Sequence, residues 1–226
     1  VTSLGWQYIL CEMEVQDISP DSLLNAYRRG LFPMAETHKD IDLFWVDPKY
    51  RGILPLNQFH ISKSMRRCIL REDYTIKVTS AFSEVISACA ARPETWINKT
   101  IFELYCALAE NKQAHSLEVW HDNELIGGVY GVVMGAAFFG ESIFSRRKNA
   151  SKIALAYLVH RLTFTGFKLF DTQFITPHLA SLGAIEIPRE TYLMHLSKAV
   201  DLTADFTDPS YSVSASGIVQ RSTQTS

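Results

Sequence analysis

The spacing of apolar residues changes along the chain, and this change predicts the order of helices and strands. In the first half, apolar residues recur at three and four positions, which predicts amphipathic helices. The clearest one follows Ser19-Pro20 in DSLLNAYRRG, where serine caps the helix, proline suits its first turn and glycine ends it. Further helices are predicted after Ser62 (SKSMRRCILR), over residues 80–91 and from about Asn98, and YTIKV is predicted as a strand.

From His115 onwards, apolar and polar residues alternate, which is typical of strands. HSLEVW, ELIGGVYGVV and AAFFGES predict an antiparallel meander with short turns. A helix (SKIALAYLVHRLTFT), a strand (FKLFDTQF) and a shorter helix (RETYLMHLSKAV) follow. This order predicts an α+β fold with one mixed, largely antiparallel sheet. We expect a small N-terminal domain over residues 1–60, a larger domain over 61–200, and a polar, flexible Ser/Thr-rich tail over 201–226.

Composition limits the possible classes of protein. Of the 226 residues, 47 % are apolar and 20 % are charged, which is usual for a globular domain. The net charge of −2 means that any affinity for nucleic acid must come from a local basic patch. The sequence has no run of about 18 apolar residues and no signal-peptide pattern at its start, so we expect a cytoplasmic protein without a membrane segment.

Three polar residues lie in strongly apolar surroundings. Alternation along FKLFDTQF puts Asp171 and Gln173 on one face of a strand, where a polar pair is costly unless it is paired or used. Either backbone amides satisfy this pair, or the pair orients a nucleophile and stabilises an oxyanion. Glu141 follows two phenylalanines, and it is either an exposed charge at a strand end or a carboxylate at the mouth of an apolar pocket. In the second case the carboxylate could bind an ammonium group of a substrate.

Two basic runs stand out against the nearly neutral composition. One lies on the predicted helix after Ser62, and the other precedes a helix that begins near Ser151. Both are either solvated faces or phosphate contacts, and the second run could add free N–H groups of the helix start. The cations concerned are Lys63, Arg66, Arg67, Arg146, Arg147, Lys148 and Lys152. Because nucleotide-loop motifs and zinc-type spacings of His and Cys are missing from the sequence, we expect neither a metal nor another cofactor.

Nine short motifs occur in a fixed order and carry a family resemblance. They are YRRGLFPM (27–34), WVDPKYRG (45–52), FHISKSMRR (59–67), TWI (95–97), HSLEVW (115–120), LIGGVYGV (125–132), GESIFSRRKNASKIAL (140–155), FDTQF (170–174) and HLASLGAIEIPR (178–189). Together they resemble the bacterial leucyl/phenylalanyl-tRNA–protein transferases over roughly residues 20–198.

This resemblance implies a fold, an activity and partners. It implies that a small N-terminal domain precedes a GNAT-like acyltransferase domain, here without the acetyl-CoA loop Q/R-x-x-G-x-G/A. The implied activity moves Leu, Phe or Met from aminoacyl-tRNA to the α-amine of a protein that begins with Arg or Lys, which marks that protein for degradation. The resemblance also suggests a monomer. The alternatives are a GNAT-fold transferase that uses another aminoacyl-tRNA, or a tRNA-binding module without catalysis.

The resemblance also assigns residues. Asp171 and Gln173 match the pair used in peptide-bond formation, and Glu141 matches a pocket carboxylate that faces cationic groups of the substrates. Trp96 matches an aromatic residue near the terminal adenosine, and the basic runs become candidate tRNA contacts. The residues assigned to the aminoacyl pocket are Val129, Phe138, Gly140, Leu155, Leu158, Leu162 and Phe170. Leucine at 158 and 162, where relatives often have aromatic residues, leaves the choice among Leu, Phe and Met open.

Overall fold

The computed structural model describes residues 8–11, 18–38, 40, 43–92 and 95–221. Its elements, in chain order, are β1 (Tyr8–Cys11), α1 (Pro20–Arg28), β2 (Phe32–Met34), β3 (Phe44–Pro48), β4 (Tyr50–Ile53), α2 (Lys63–Ile69), β5 (Thr75–Val78), α3 (Phe82–Ala90), α4 (Lys99–Glu110), β6 (Ala114–His121), β7 (Glu124–Met134), β8 (Ala137–Ser145), α5 (Ala150–Phe164), β9 (Leu169–Gln173), α6 (Pro177–Ala180), β10 (Ile185–Pro188), α7 (Arg189–Val200) and α8 (Ala215–Arg221).

The helix starts follow the capping pattern of the sequence. The Ser19 hydroxyl oxygen accepts the Ser22 backbone N–H, and the Ser19 backbone N–H donates to the Ser22 hydroxyl oxygen, which forms a capping box at the start of α1. Ser62 and Asn98 cap α2 and α4 by accepting backbone N–H groups three residues ahead. These bonds satisfy N–H groups that the helix interior cannot pair.

A seven-stranded sheet organises the chain in the order β10-β4-β9-β8-β7-β6-β5. Among the strand pairs that the structure describes in this sheet, β8 and β9 run parallel and the others run antiparallel. The predicted α+β fold with a mixed, largely antiparallel sheet is therefore confirmed. A separate sheet, β1-β3-β2, forms part of the N-terminal region. β4 lies within residues 1–60 but pairs with β9 and β10, so this stretch contributes directly to the large sheet.

Helices cover both faces of the large sheet. One core contains buried residues of α1, α3, α4 and α7, and the other contains buried residues of α2, α5 and α8. The start of α5 comes so close to β7 that a Cβ at Gly127 would lie 2.6 Å from the Cβ of Ala150. Glycine at this position therefore lets α5 pack tightly against the sheet.

The prediction of a flexible tail from Asp201 is wrong for the residues that the structure describes, 201–221. Phe206 is 3 % exposed, and its ring stacks on His115 and Phe138 with centroid distances of 4.7 and 5.5 Å. Ile218 and Val219 on α8 are also buried. Phe206, Ala215, Ile218 and Val219 all enter one core, and burial of these side chains outweighs the Ser/Thr-rich composition of the segment.

We expect Phe206→Ala to lower the free energy of unfolding by about 3–5 kcal/mol, because it leaves a cavity between two rings. Urea denaturation of the whole chain measures this change. Leu202 lies in the same segment and is 46 % exposed, so Leu202→Ala serves as the control and changes stability by less than about 0.5 kcal/mol. Equal effects of the two substitutions would show that this segment contributes no core packing.

Candidate active site

A cavity of about 230 Å³ opens beside the parallel pair β8 and β9. Residues of these two strands form one wall, and β2 and the start of α6 approach from the other sides. Most of the lining is apolar, and the polar groups are concentrated on β8 and β9. The lining residues that matter below are Trp96, Val129, Gly140, Glu141, Leu155, Phe170, Thr172 and Gln173. The sheet thus brings together positions that are distant in sequence.

The end of β9 departs from regular alternation. Gln173 has a φ of +57°, a left-handed conformation that is uncommon for residues with a side chain. Thr172 and Gln173 both line the cavity, whereas Asp171 lies outside its lining. That Asp171 and Gln173 share one face of the strand stays a prediction. The Thr172 hydroxyl is buried and has no hydrogen-bond partner among the described residues.

Asp171 is fully buried, and both of its carboxylate oxygens accept hydrogen bonds. Arg51 donates from Nε to Oδ1 at 2.9 Å and from Nη2 to Oδ2 at 2.7 Å, which is the two-pronged geometry of a strong ion pair. The Tyr192 hydroxyl donates to Oδ2 at 2.7 Å, and the Gln173 backbone N–H donates to Oδ1 at 2.8 Å. Asp171 therefore holds the backbone of Gln173 in its left-handed conformation.

Arg51 is itself enclosed, although it carries a charge. Its side chain is 1 % exposed, and its guanidinium carbon lies 4.5 Å from the ring centre of Phe32 and 4.6 Å from that of Tyr192. Its Nη1 donates to the backbone oxygen of Gly30 at 2.9 Å. Because each guanidinium nitrogen has a hydrogen-bond acceptor and two aromatic rings lie against the cation, the buried charge is compensated.

Glu141 lies in the middle of β8 and is 8 % exposed. The Gln173 side-chain amide donates from Nε2 to Glu141 Oε1 at 3.0 Å. The hydroxyl oxygens of Tyr27 and Tyr105 lie 2.6 Å from Oε1 and 2.8 Å from Oε2, respectively. The expected pocket carboxylate is thus at the cavity wall, but three side chains fix its position.

Burial changes the acidity of this cluster. Desolvation raises the pKa of Glu141 from 4.5 to about 7, although the hydrogen bonds from Tyr27 and Tyr105 oppose the rise. Desolvation also raises the pKa of both tyrosine hydroxyl groups well above 10, so both keep their protons near neutral pH. Glu141 is therefore the group of this cluster that titrates near pH 7.

Four of the seven residues assigned to the aminoacyl pocket line the cavity: Val129, Gly140, Leu155 and Phe170. A Cβ at Gly140 would lie 2.7 Å from the Phe170 ring, so glycine lets this ring reach the wall. The other three, Phe138, Leu158 and Leu162, lie outside the cavity lining in the core between the sheet and α5. Phe138 still contacts the pocket indirectly, since its ring packs edge-on against Phe170 at 5.4 Å.

Trp96 lines the cavity, as a residue near the terminal adenosine would.

The two basic runs lie next to each other on a surface beside α2 and α5. Asn149, inside the second run, donates to the sulfur of Cys68 on α2 at 3.2 Å. This contact brings together two runs that are about 80 residues apart in the sequence. Exposed positions in them are Lys63, Arg66, Arg67, Arg146, Arg147 and Lys148, and Lys152 is half-buried.

Comparison with known proteins matches almost the whole chain to one family. Residues 53–197 match the sequence model of the leucyl/phenylalanyl-tRNA protein transferase, and residues 16–49 match that of its N-terminal domain. The chain belongs to the leucyl/phenylalanyl-tRNA protein transferase family. Its members of that name from Cereibacter sphaeroides and a Ruegeria species are each 56 % identical over 209 residues, which cover 92 % of this chain and 98 % and 99 % of theirs.

A solved structure with much lower sequence identity also supports the fold. FemX aligns with a TM-score of 0.50 at 13 % identity, over 74 % of this chain and 66 % of its own. In the described part of this transferase, no helix is both long and apolar enough to cross a membrane.

Sequence reasoning missed several residues of this transferase site. Arg51, Tyr27, Tyr105 and Tyr192 act from four different elements, and no local pattern connects them. Nothing in the local sequence around Arg51 (WVDPKYRG) distinguishes it from an exposed arginine, because its partner Asp171 is 120 residues away. The three tyrosines occupy buried positions of helices, where the sequence pattern predicts ordinary core residues.

We expect Arg51→Met to lower the free energy of unfolding by about 3–5 kcal/mol, because it leaves the Asp171 charge buried without its partner. Combining it with Asp171→Asn should recover at least half of that loss. Arg147→Met is the matched control, because its pair with Glu124 is 46 % and 52 % exposed and is worth less than about 1 kcal/mol. Urea denaturation compares the variants, and equal losses for Arg51→Met and Arg147→Met would contradict the interpretation.

The raised pKa of Glu141 also predicts how stability depends on pH. Between about pH 4.5 and 7 the folded protein binds the Glu141 proton more tightly than the unfolded chain does, so this group's contribution to stability falls as pH rises. Relative to Glu141→Gln, the wild type should lose about 3 kcal/mol across that interval and nothing further above it. Denaturation of both proteins at several pH values measures the difference, and a constant difference would refute the shifted pKa.

Proposed function

We propose that this protein transfers Leu or Phe, and also Met, from aminoacyl-tRNA to the α-amine of a protein whose N-terminal residue is Arg or Lys. Family membership supports the transferase activity. The observation that carries the proposal is the cavity itself, in which an apolar wall meets two polar side chains, Glu141 and Gln173. A transfer reaction needs both features, since the apolar wall must bind the aminoacyl side chain and the polar side chains must contact the reacting amine and ester.

The apolar wall suits the transferred side chain. Val129, Ile143, Leu155 and Phe170 line it, so a Leu, Phe or Met side chain can exchange water for hydrocarbon there. A charged side chain would lose its hydration without gaining a partner on this wall. Among apolar side chains, one methylene changes discrimination by only about 1–3 kcal/mol, which fits acceptance of more than one amino acid.

The reaction joins the incoming amine to the esterified amino acid. The neutral amine nitrogen attacks the ester carbonyl, a C–N bond forms, the bond to the ribose oxygen breaks, and the proton lost by nitrogen is taken up by that oxygen. Gln173 faces the reacting groups, and its side-chain oxygen can accept an amine N–H and so aim the nitrogen lone pair. Asp171 acts through Gln173 and not as a base, because its oxygens are occupied by Arg51, Tyr192 and the Gln173 backbone.

The tRNA would approach across Trp96 and the basic surface. Trp96 at the cavity offers a ring on which the terminal adenine can stack, an interaction worth about 1–3 kcal/mol per base. The surface formed by the two basic runs can bind phosphates of the acceptor stem, which would make affinity depend on salt. These roles agree with a cytoplasmic, monomeric enzyme that marks proteins for degradation, which is part of the same proposal.

The test uses labelled Leu-tRNA and Phe-tRNA with two acceptor proteins that differ only in starting with Arg or Gly. We expect transfer to the first alone. Gln173→Ala should lower kcat about a hundredfold while tRNA binding persists, because it removes the group that positions the amine. Asp171→Ala should lower kcat to a similar extent, because the Gln173 backbone N–H loses the carboxylate that holds it in place.

Asp122→Asn is the control for these variants, because this carboxylate is 90 % exposed in its side chain and is not part of the cavity lining. It should keep the wild-type rate. Tight tRNA binding without transfer to either acceptor would reject the enzyme and leave a tRNA-binding module. Equal transfer to both acceptors would reject only the Arg/Lys preference.

A further inference from the structure

Four oxygen atoms beside the cavity make three short contacts, and the hydrogen atoms of two tyrosines cannot supply all three. The hydroxyl oxygens of Tyr27 and Tyr105 lie 2.5 Å apart. Tyr27 also lies 2.6 Å from Glu141 Oε1, and Tyr105 lies 2.8 Å from Glu141 Oε2. All three contacts are at hydrogen-bonding distance, and together they close a ring through the carboxyl group.

The ring requires one more proton than the two tyrosines supply. Each tyrosine hydroxyl carries one hydrogen and can donate one hydrogen bond. If Glu141 is ionised, two hydrogens must serve three contacts, and one pair of oxygens then faces each other at less than 3 Å with lone pairs only. If the carboxyl group is protonated, three hydrogens are available for three contacts, and each contact then has one donor and one acceptor.

We propose that Tyr27, Tyr105 and the protonated carboxyl group of Glu141 form a closed ring of three hydrogen bonds that fixes the side-chain amide of Gln173 at the active site. In this ring Tyr105 donates to Tyr27, Tyr27 donates to Oε1, and Oε2–H donates to Tyr105. Oε1 is then the carbonyl oxygen of the acid, which also accepts the N–H of Gln173 Nε2. The Gln173 side-chain oxygen is left to face the cavity.

The surroundings of Glu141 favour the neutral acid. The ring lies between α1, α4, β8 and β9, and its three members are all buried. Burial is the largest effect on Glu141 and disfavours its ionisation, while the hydrogen bonds of Tyr27 and Tyr105 favour it. Of the nearby charges, Asp171 on β9 disfavours ionisation, and Arg51 on β4 favours it more weakly. Tyr130 on β7 lies against Tyr105 with ring centres 5.5 Å apart, and its hydroxyl also feels the Glu141 charge. Burial raises the pKa of Glu141 to about 7, in agreement with the proton count.

The consequence for the reaction rests on the proposed function. An ionised carboxylate next to the reacting groups would hold the acceptor amine as an ammonium ion, which has no lone pair for attack. A neutral carboxyl group keeps Gln173 oriented without that charge. Tyr27 and Tyr105 do not line the cavity, so they are positioning residues that act through Glu141 and Gln173.

Infrared difference spectroscopy tests the ring without any substrate. The spectrum of wild type minus Glu141→Gln at pH 6 should show the C=O stretch of one protonated carboxyl group, and this band should disappear by pH 9. Surface carboxylates do not interfere, because they are ionised at pH 6. Absence of the band at pH 6 overturns the proposal, whatever activity the protein has.

Kinetics tests the role of the ring in transfer. Tyr27→Phe and Tyr105→Phe each open the ring, so each should lower kcat about tenfold with KM for aminoacyl-tRNA within about twofold of wild type. The double variant should lose no more than about twentyfold, because the ring is already open in either single variant. A loss of about a hundredfold, the product of the single effects, would overturn the ring as a unit.

Tyr130→Phe is the matched control. Tyr130 is equally buried and packs on Tyr105, but its hydroxyl has no partner among the described residues. The variant should keep the wild-type kcat. Glu141→Gln can reproduce the neutral ring, with its amide N–H donating to Tyr105, and should retain at least tenfold more kcat than Glu141→Ala. Equal loss in both Glu141 variants would show that transfer needs the carboxylate charge, which contradicts the proposal.

Discussion

The ion pair between Arg51 and Asp171 is the constraint on which the site depends. It joins β4 to β9 inside the large sheet, and Arg51 also reaches the backbone of Gly30 near β2. Tyr192 adds a bond from α7 to the same carboxylate. A buried pair of this kind is rarely worth its desolvation as stability alone. Here the pair has a geometric result, since Asp171 then holds Gln173 in a conformation that turns its side chain into the cavity.

The parallel contact between β8 and β9 determines what meets at the cavity. Phe138 and Phe139 on β8 are in register with Phe170 and Asp171 on β9, so apolar and polar positions of the two strands are brought side by side. The described pairing of the two strands ends at Phe139 and Asp171, and two residues further along Glu141 and Gln173 make contact through their side chains. This strand pair therefore supplies Glu141 and Gln173 and part of the hydrophobic wall, which β7 and α5 complete with Val129 and Leu155.

Local patterns predicted the elements well, but they could not predict the contacts between elements. Helix caps at Ser19, Ser62 and Asn98 and the meander β6–β8 follow from spacing and turn chemistry, which act over a few residues. The turn of the backbone at Gln173 has no local signal, because it is stabilised by Asp171 and, through it, by Arg51 about 120 residues earlier. The packed segment after Asp201 was hidden because a few buried residues such as Phe206 outweigh a polar composition.

The two carboxyl groups of the site illustrate how one fold separates their roles. Asp171 has an arginine partner and accepts hydrogen bonds from two further groups, the Tyr192 hydroxyl and the Gln173 backbone N–H, whereas Glu141 has only neutral partners in a buried position. Burial among neutral partners raises the pKa of Glu141 to about 7. The charge of Asp171 itself contributes, since it raises the pKa of Glu141. Burial is the main cause of the raised pKa of Glu141, and the two members of the ion pair act on it in opposite directions, since Asp171 raises the pKa and Arg51 lowers it. The same buried position between the sheet and its helices therefore fixes the geometry of the polar groups and favours a neutral Glu141.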